Sequence, residues 1–426
     1  MQMAMRVSRR AATASEAVVE RIVGQYLRPG VVNLAPGVAH WTPPMGKVLR
    51  PEMLLESTSS YGDCRGEPGL VDALKARLES ENGENMSERD VMVTNGANQA
   101  FVQAMLCLCD EGDECVLFRP YYFSHLVALQ LCGVRPVIVD CDPITGQPDA
   151  DGLRAVLQRD ESRVRAAVLV SPSNPSGAVC SVQLAEELQT QCAAASAWLV
   201  VDSAYEHFTF GGSSASRDTR GDVRSDGECT EGLRDRTLSR PDNLVVMRTM
   251  SKSYGLAGWR VGYMSYPSHI HEDLLKVQDT LPTHACRASQ QLALHALTHL
   301  GTPWVCERVR SLELARSALW EALAPLRHVR AAERPGGLLP RQPAGAFYYW
   351  IPLPEGAADD ETVIRWLAEE HSLLLLPGFA FGAPGHLRLS YGGLGQPEAV
   401  EPVALALSAA AEQLARGCGP TGTMVR

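Results

Sequence analysis

The fold is indicated first by a segment in the second half of the chain, LVVMRTMSKSYGLAGWR (residues 244–260). Residues 244–248 are rich in apolar side chains and predict a buried β-strand. Lys252 follows this strand, between hydroxyl residues and ahead of glycines, so its side chain can enter a site. Burial or a nearby cation lowers the pKa of a lysine amine, and the neutral amine is the form that makes Schiff bases. Arg260 can supply such a cation and bind a phosphate as a fork; the alternative is that both are surface cations.

Strand patterns of the same kind recur through the first two thirds of the chain. Short, nearly continuous apolar runs at residues 91–93, 114–118, 135–140, 166–170, 198–202 and 244–248 alternate with helical patterns such as 97–109 and 182–195. This alternation predicts an α/β fold with a mostly parallel sheet. In such folds the functional residues lie at the carboxyl ends of the strands.

The pattern changes beyond about residue 300. Residues 307–326 predict one long helix, followed by strands near 344–353 and 387–390 and a final helix near 398–416. We therefore expect two domains, a large one over residues 46–300 and a smaller α+β domain formed by residues 1–45 and 301–426. Residues 211–242 are rich in Ser, Arg, Asp and Gly, which predicts a mobile insertion within the large domain.

Composition excludes several classes of protein. The formal net charge of −10 argues against a surface that coats nucleic-acid phosphates. No apolar run approaches the roughly 18 residues that a membrane span needs. The 12 cysteines are scattered without a Cys-x-x-Cys pair, which favours a reducing compartment and a cytoplasmic protein. The alternative is an organelle transit peptide in the Arg- and Ser-containing N-terminus. No metal is expected, because His295 and His299 lack the Glu of a His-Glu-x-x-His site.

Three further motifs follow predicted strands. Residues 94–100 (TNGANQA) turn from a strand into a helix, whose free N–H groups and positive end favour an anion. Residues 171–177 (SPSNPSG) form a Pro- and Gly-containing loop that fixes the amide of Asn174. Residues 200–205 (VVDSAY) end a buried strand at Asp202, whose carboxylate needs a cation or a hydrogen-bonded network. A protonated pyridine nitrogen is such a partner; the alternative is a helix cap or a structural ion pair.

These four motifs, in their order along the chain, resemble those of the class I/II aminotransferase family, the fold-type-I pyridoxal 5′-phosphate (PLP) enzymes. The resemblance covers the chain from about residue 34 to its last helix. Four further segments resemble the plant-type aromatic and methionine aminotransferases: residues 37–44 (GVAHWTPP), 119–123 (RPYYF), 276–279 (KVQD) and 344–348 (AGAFY).

The resemblance implies a PLP cofactor and three catalytic residues. Lys252 would hold the cofactor as a Schiff base and move a proton during catalysis. Asp202 would keep the pyridine nitrogen protonated, so that the ring accepts electrons. Tyr205, together with Asn174, would donate to the phenolic oxygen of the cofactor.

The resemblance also implies the remaining contacts. Tyr122 would stack on the cofactor ring, at a position where many relatives have Trp. Tyr61 would reach the phosphate of a neighbouring subunit, which implies a homodimer with composite sites. The expected phosphate-binding residues of the chain itself are Gly96, Ala97, Asn98, Thr249, Ser251 and Arg260, although relatives often carry Gly or Ser in place of Ala97. The expected substrate-binding residues are Gly37, Trp41, Asn174 and Arg388, with Arg388 on the α-carboxylate and with Trp41, His40 and Tyr122 lining the side-chain pocket.

The predicted function is transfer of an amino group from an aromatic or large apolar L-amino acid to a 2-oxo acid by a ping-pong mechanism. Two alternatives stay open at this point. A PLP-dependent lyase, of the C–S lyase or aminocyclopropane-carboxylate synthase type, would use the same Lys252, Asp202 and Arg388. The second alternative is a regulatory protein that binds the cofactor without catalysis. Arg287 lies near the presumed active-site region, where the resemblance leads us to expect apolar residues, so acidic acceptors are expected to be handled unusually.

Overall fold

The computed structural model of the protein describes residues 7–44, 58–210, 241–327, 329, 338–339 and 341–420. Its strands are β1 (Val32–Asn33), β2 (Arg89–Thr94), β3 (Glu114–Arg119), β4 (Arg135–Asp140), β5 (Val164–Val170), β6 (Trp198–Asp202), β7 (Leu244–Thr249), β8 (Gly262–Pro267), β9 (Tyr348–Pro352), β10 (Leu373–Leu374), β11 (Leu376–Pro377) and β12 (His386–Ser390).

The helices in the described part of the chain are α1 (Arg9–Thr13), α2 (Val18–Tyr26), α3 (Pro68–Arg77), α4 (Ala97–Leu108), α5 (Phe123–Cys132), α6 (Ala150–Gln158), α7 (Val182–Ala194), α8 (Met250–Ser253), α9 (His271–Thr280), α10 (Arg287–His295), α11 (Gly301–Arg310), α12 (Glu313–Ala322), α13 (Ala324–Arg327), α14 (Asp360–Glu370) and α15 (Pro397–Ala415). Side-chain caps define several helix starts. Ser181 accepts a hydrogen bond from the backbone N–H of Leu184 at the start of α7, and Asp359 accepts two at the start of α14. No helix among these residues combines the length and apolar character that a membrane crossing needs.

A seven-stranded sheet in the order β2-β8-β7-β6-β5-β3-β4 forms the centre of the α/β part. Its strands are parallel except β8, which runs antiparallel to both of its neighbours. Successive residues of β6 point to different cores, because Val200 packs into the cluster under α4 and α5 while Val201 packs into the one under α7. Both faces are therefore covered, as the continuous apolar runs in the sequence predicted. The predicted α/β fold class is confirmed.

The C-terminal part contains a three-stranded sheet, β11-β12-β9, and the N-terminal segment packs against this part. Ile22 of α2 shares one core with Leu319 of α12 and Leu407 of α15. Strand β1 pairs in parallel with β10, and the short helix α1 instead lies against α5. The predicted assignment of the N-terminal residues and residues 301–426 to one small domain stays a proposal.

One sequence prediction is wrong, one strand was missed, and one predicted segment lies mostly outside the described residues. The single long helix at residues 307–326 is wrong: the region forms α11, α12 and α13, and at the first break the Ser311 hydroxyl donates to the Arg308 carbonyl oxygen (2.6 Å) in competition with the helix. Strand β8 was missed, because its Gly, Ser and Pro interrupt an apolar pattern. Of the predicted insertion, residues 211–240 lie outside the described part, whereas Pro241–Asn243 form a 3₁₀ turn that leads into β7.

A network of buried ion pairs lies behind β7 and β8. Arg248 of β7 is 1% exposed and donates to Glu84 (2.7 Å) and Glu206 (3.1 Å). Glu84 also accepts from Arg89 of β2 (3.2 Å), and Glu206 accepts from Arg77 of α3 (2.8 Å). Each carboxylate therefore serves two arginines in a region with little water. Removing one of these charges leaves buried cations only partly compensated.

We expect Glu84→Gln to lower the free energy of unfolding by about 3 kcal/mol, the usual cost of breaking a buried ion pair. The substitution keeps the size of the side chain and removes its charge between Arg248 and Arg89. Glu79→Gln is the control, because Glu79 is exposed in the segment next to Glu84. Guanidinium unfolding followed by tryptophan fluorescence measures both variants. Equal unfolding midpoints for the two would contradict a stabilising role of the network.

Candidate active site

Most of the predicted site residues meet at one edge of the seven-stranded sheet, at the carboxyl ends of its parallel strands. Gly96 follows β2, Asn174 follows β5, Asp202 ends β6 and Thr249 ends β7. Parallel strands end at the same edge, so residues far apart in sequence become neighbours there. Arg388 reaches this edge from β12 of the C-terminal part, and its guanidinium donates to the Asn174 side-chain oxygen (2.9 Å).

Lys252 lies in the short helix α8, directly after β7. Thr249 caps this helix, since its hydroxyl accepts a hydrogen bond from the Ser251 N–H (3.1 Å). The Lys252 amine donates to the carbonyl oxygen of Gly37. Burial, with the positive charges of Arg388 and Arg260, lowers the pKa of Lys252 from 10.5 to about 8, although Asp202 opposes this shift. A sizeable fraction of the amine is therefore neutral near physiological pH.

Asp202 is held by a residue that the sequence did not single out. Its carboxylate is 5% exposed and accepts from the backbone N–H of Ala204 (3.0 Å), while its other oxygen lies 3.2 Å from Nε2 of His125. His125 is itself 2% exposed in α5, and its ring packs on Phe101. Two contacts leave acceptor capacity on the carboxylate for a further donor. The sequence signal was present, since His125 lies one helical turn after Tyr122.

An anion site is formed by the start of α4 and by Arg260. Gly96 caps α4 with φ 84°, a conformation that favours glycine, and a Cβ at this position would overlap the Arg260 guanidinium. The first N–H groups of α4, at Ala97 and Asn98, have no partner within the helix. Arg260 is exposed and donates to the Asn95 carbonyl oxygen (3.3 Å). The predicted phosphate-binding residues therefore lie together.

Two hydroxyls belong to the same region. The Thr249 hydroxyl donates to the Ser251 hydroxyl (2.9 Å) or to the Val261 carbonyl oxygen (3.1 Å). Both side chains are buried beside Lys252. They add hydroxyl donors to a cation and a helix N-terminus, which is a donor set that suits a phosphate.

Arg388 is the buried cation of the site. It is 3% exposed, donates to Asn174 and to the Ala35 carbonyl oxygen, and lies over the Tyr348 ring (4.5 Å to the ring centre). Its Nε is buried and has no hydrogen-bond partner among the described residues. A buried, unpaired N–H is costly, so this group is suited to donate to a carboxylate that enters the site.

Tyr205 and Tyr348 form a buried pair of phenols. Their hydroxyls are hydrogen-bonded to each other, and their ring centres are 5.5 Å apart. Burial raises the pKa of Tyr205 well above its usual value and that of Tyr348 to about 12. Both phenols therefore stay protonated and can donate. The sequence pattern singled out Tyr348 only as part of residues 344–348, and its place in the site was not predicted.

The other predicted residues lie around this group. The Tyr122 ring is edge-on to His125, with ring centres 5.2 Å apart. Trp41 is 5% exposed, stacks on Phe208 and donates from Nε1 to the Ser253 carbonyl oxygen (3.1 Å), so it supports α8 from the core. The neighbouring His40 ring packs edge-on against Trp41. The structure thus places Trp41 mainly in the core beneath Lys252.

Tyr61 lies on the surface of the chain and not in the buried group around Lys252. It is 86% exposed and its ring contacts His284 (5.9 Å between ring centres). Arg287 fixes the adjacent backbone by donating to the Ser60 carbonyl oxygen (3.0 Å), and it pairs with the carboxylate of Glu67. The charge of Arg287 is therefore balanced within the chain.

Comparisons with a family model, with relatives in sequence and with solved structures all match aminotransferases. The family model for aminotransferase class I and II matches residues 42–407. Aromatic aminotransferase ISS1 of Arabidopsis thaliana is 37% identical over 94% of this chain and 92% of its own length. An aspartate aminotransferase of Streptomyces avermitilis is 30% identical over 80% of this chain and 79% of its own. The solved structure of Thermus thermophilus aspartate aminotransferase with maleate matches with a TM-score of 0.80 and 25% identity, over 95% of this chain and all of that one.

We expect the Lys252 amine of the cofactor-free protein to titrate with a midpoint near pH 8. Competitive labelling with acetic anhydride over a pH series, quantified by peptide mass spectrometry, measures the neutral fraction of each lysine. Lys276 is the internal control, because it is exposed and its pKa is raised above 10.5 by Asp273. If the two lysines titrated together, the site would not depress the pKa of Lys252.

Proposed function

The chain belongs to the aminotransferase class I and II family and is a transaminase, and we propose that it moves the amino group of an aromatic or large apolar L-amino acid to a 2-oxo acid with PLP as cofactor. The donors would be of the Phe, Tyr, Trp and Met class. The observation that carries the proposal is the amine of Lys252, with its lowered pKa, between an anion site and the buried Arg388. In a ping-pong mechanism, donor and acceptor would use this one site in turn.

The residues present fit PLP. The start of α4, Arg260 and the hydroxyls of Thr249 and Ser251 would hold its phosphate, and Asp202, oriented by His125, would face its pyridine nitrogen. Tyr205 and Asn174 would donate to its phenolic oxygen, and Tyr122 would lie on its ring. When bound, PLP supplies an electron-withdrawing ring that stabilises negative charge at the substrate Cα.

The chain's own groups would perform the remaining tasks. Arg388 would hold the α-carboxylate through its unpaired Nε and its terminal nitrogens, with Asn174 fixing the fork. This contact would orient the Cα–H bond toward the Lys252 amine. Because its pKa is lowered, a fraction of that amine is unprotonated at neutral pH and could accept a proton from Cα.

Two observations support aromatic or apolar donors. The rings that lie beside Arg388, those of Tyr348 (4.5 Å) and Phe381 (5.1 Å), are buried and carry no charge that could bind an acidic side chain. Arg287, the nearby cation for which the sequence suggested a role with acidic substrates, is paired with Glu67. The name of the aromatic aminotransferase relative agrees with this preference. Because other relatives are named aspartate aminotransferases, acidic amino acids are the substrates against which the preference should be tested.

We expect Phe, Tyr, Trp and Met to convert the bound PLP to pyridoxamine phosphate faster than Asp does. Each amino acid is mixed with the holoenzyme, without an acceptor, and the absorbance of the cofactor is followed. Borohydride reduction and peptide mapping of the untreated enzyme should label Lys252, and Lys252→Ala should bind PLP but convert none of it.

Two outcomes would contradict the proposal. A label on another lysine would end the assignment of Lys252. Release of an elimination product while the cofactor stays as PLP would instead indicate the lyase chemistry, which the named relatives do not favour.

We also propose that the protein is a homodimer in which Tyr61 completes the phosphate site of the partner. Tyr61 is an aromatic residue with 86% exposure on a loop that Arg287 and Glu67 fix, so its position costs little further ordering on assembly. We further propose a reducing compartment such as the cytoplasm, since the described cysteines are free thiols.

Complementation tests the composite site. Tyr61→Ala and Lys252→Ala subunits are each expected to be strongly impaired. In a mixed dimer, the site with intact Lys252 receives the intact Tyr61 of the other chain, so activity should return to about one site per dimer. If heterodimers form and no activity returns, Tyr61 acts within its own subunit.

A further inference from the structure

Tyr348 contacts three parts of the site at once. Its hydroxyl is hydrogen-bonded to that of Tyr205, and a Cβ added at Gly37 would overlap the same hydroxyl. Its ring lies under the guanidinium of Arg388, 4.5 Å from the ring centre. The side chain is 1% exposed. Tyr348 therefore joins the phenol expected at the cofactor to the cation expected at the substrate carboxylate.

We propose that Tyr348 is a positioning residue that donates its hydroxyl to the oxygen of Tyr205, and so strengthens the hydrogen bond from Tyr205 to the phenolic oxygen of PLP. This inference rests on the proposed function, because it concerns the same cofactor.

The direction of the bond follows from the number of hydrogens available. Tyr205 has one hydroxyl hydrogen, and a donor to the cofactor must direct that hydrogen away from Tyr348. The oxygen of Tyr205 is then left to accept, and Tyr348 must be the donor. Gly37 leaves room for this approach, since any larger residue would overlap the Tyr348 hydroxyl.

The surroundings of the two phenols keep both hydroxyls protonated. Burial raises the pKa of Tyr205 and that of Tyr348, and the positive charge of Arg388 only partly offsets this effect. The Tyr348 hydroxyl therefore has a hydrogen to donate to the oxygen of Tyr205.

Chained hydrogen bonds strengthen one another. A phenol that accepts a hydrogen bond donates its own hydrogen more strongly, so the Tyr348 hydroxyl increases the pull of Tyr205 on the phenolic oxygen. That pull withdraws negative charge from the oxygen. The nitrogen that links Lys252 to PLP then holds its proton less tightly, and its pKa falls. Loss of the Tyr348 hydroxyl should therefore raise the pH at which the absorbance of bound PLP changes.

The decisive variants are Tyr348→Phe and Tyr349→Phe in the holoenzyme. Tyr348→Phe keeps the ring against Arg388 and removes only the hydroxyl. Tyr349→Phe is the matched control, because it removes a buried hydroxyl from the next residue of β9, one that is hydrogen-bonded to the Arg316 carbonyl oxygen. We expect the absorbance midpoint to rise by about one pH unit in Tyr348→Phe, as the loss of one hydrogen bond implies. The midpoint of Tyr349→Phe should match that of the wild type.

A second set of variants tests whether Tyr348 acts through Tyr205. In Tyr205→Phe protein, adding Tyr348→Phe should produce no further shift, because the relay of hydrogen bonds from Tyr348 through Tyr205 to the phenolic oxygen has already lost its middle member. Gly37→Ala, whose added methyl group displaces the Tyr348 hydroxyl, should reproduce the upward shift and serves if Tyr348→Phe folds poorly.

Three outcomes separate the claims. Equal midpoints for Tyr348→Phe and Tyr349→Phe would overturn the relay, as would a full shift in the Tyr205→Phe background. A wild-type protein that binds no PLP at Lys252 would instead overturn the proposed function.

Discussion

The pairing of Arg248 with Glu84 and Glu206 fixes the backbone on which the site is built. Arg248 directly precedes Thr249, the cap of the Lys252 helix, and Glu206 directly follows Tyr205. His207 extends the network to the other end of α8, since its Nδ1 lies 3.0 Å from the Ser253 hydroxyl. Burial lowers the pKa of His207 to about 4, so its ring is neutral at pH 7. Its Nε2 faces an N–H of Arg77 (3.2 Å) and must accept, so Nδ1 carries the hydrogen and donates to Ser253.

This rigid support allows charges to be concentrated on the open side of the sheet edge. Arg388 and Arg260 both lower the pKa of Lys252, and Asp202 only partly offsets them. An arrangement with two cations near one amine is unfavourable by itself, and it becomes favourable when anions enter. A phosphate beside Arg260 and a carboxylate beside Arg388 would meet that need. The positive charges that keep the Lys252 amine partly neutral would therefore also favour the binding of two anionic groups, one beside Arg260 and one beside Arg388.

The sequence predicted the parts of the site that lie in continuous segments. Asp202, Lys252 and Asn174 could be found because each directly follows a recognisable apolar strand, and parallel strands end together. His125 and Tyr348 were missed because their roles depend on contacts between distant segments. His125 of α5 contacts Asp202 of β6, and Tyr348 of β9 contacts Tyr205, three residues after β6, and Arg388 of β12. Strand β8 was missed for a related reason, since Gly262–Pro267 has a weak strand pattern and is held between β2 and β7 by the sheet.

Arg287 shows why substrate preference is the hardest property to predict from such a sequence. An arginine near the site suggests affinity for acidic substrates, yet its net effect depends on the carboxylates that reach it. Glu67 is remote in the chain but forms an ion pair with Arg287 through Nε, and the Ser60 backbone takes a further N–H. The cation is therefore used to hold the Tyr61 loop in place. With that charge balanced by Glu67, the rings that lie beside Arg388, those of Tyr348 and Phe381, are buried and add no second cation to the site.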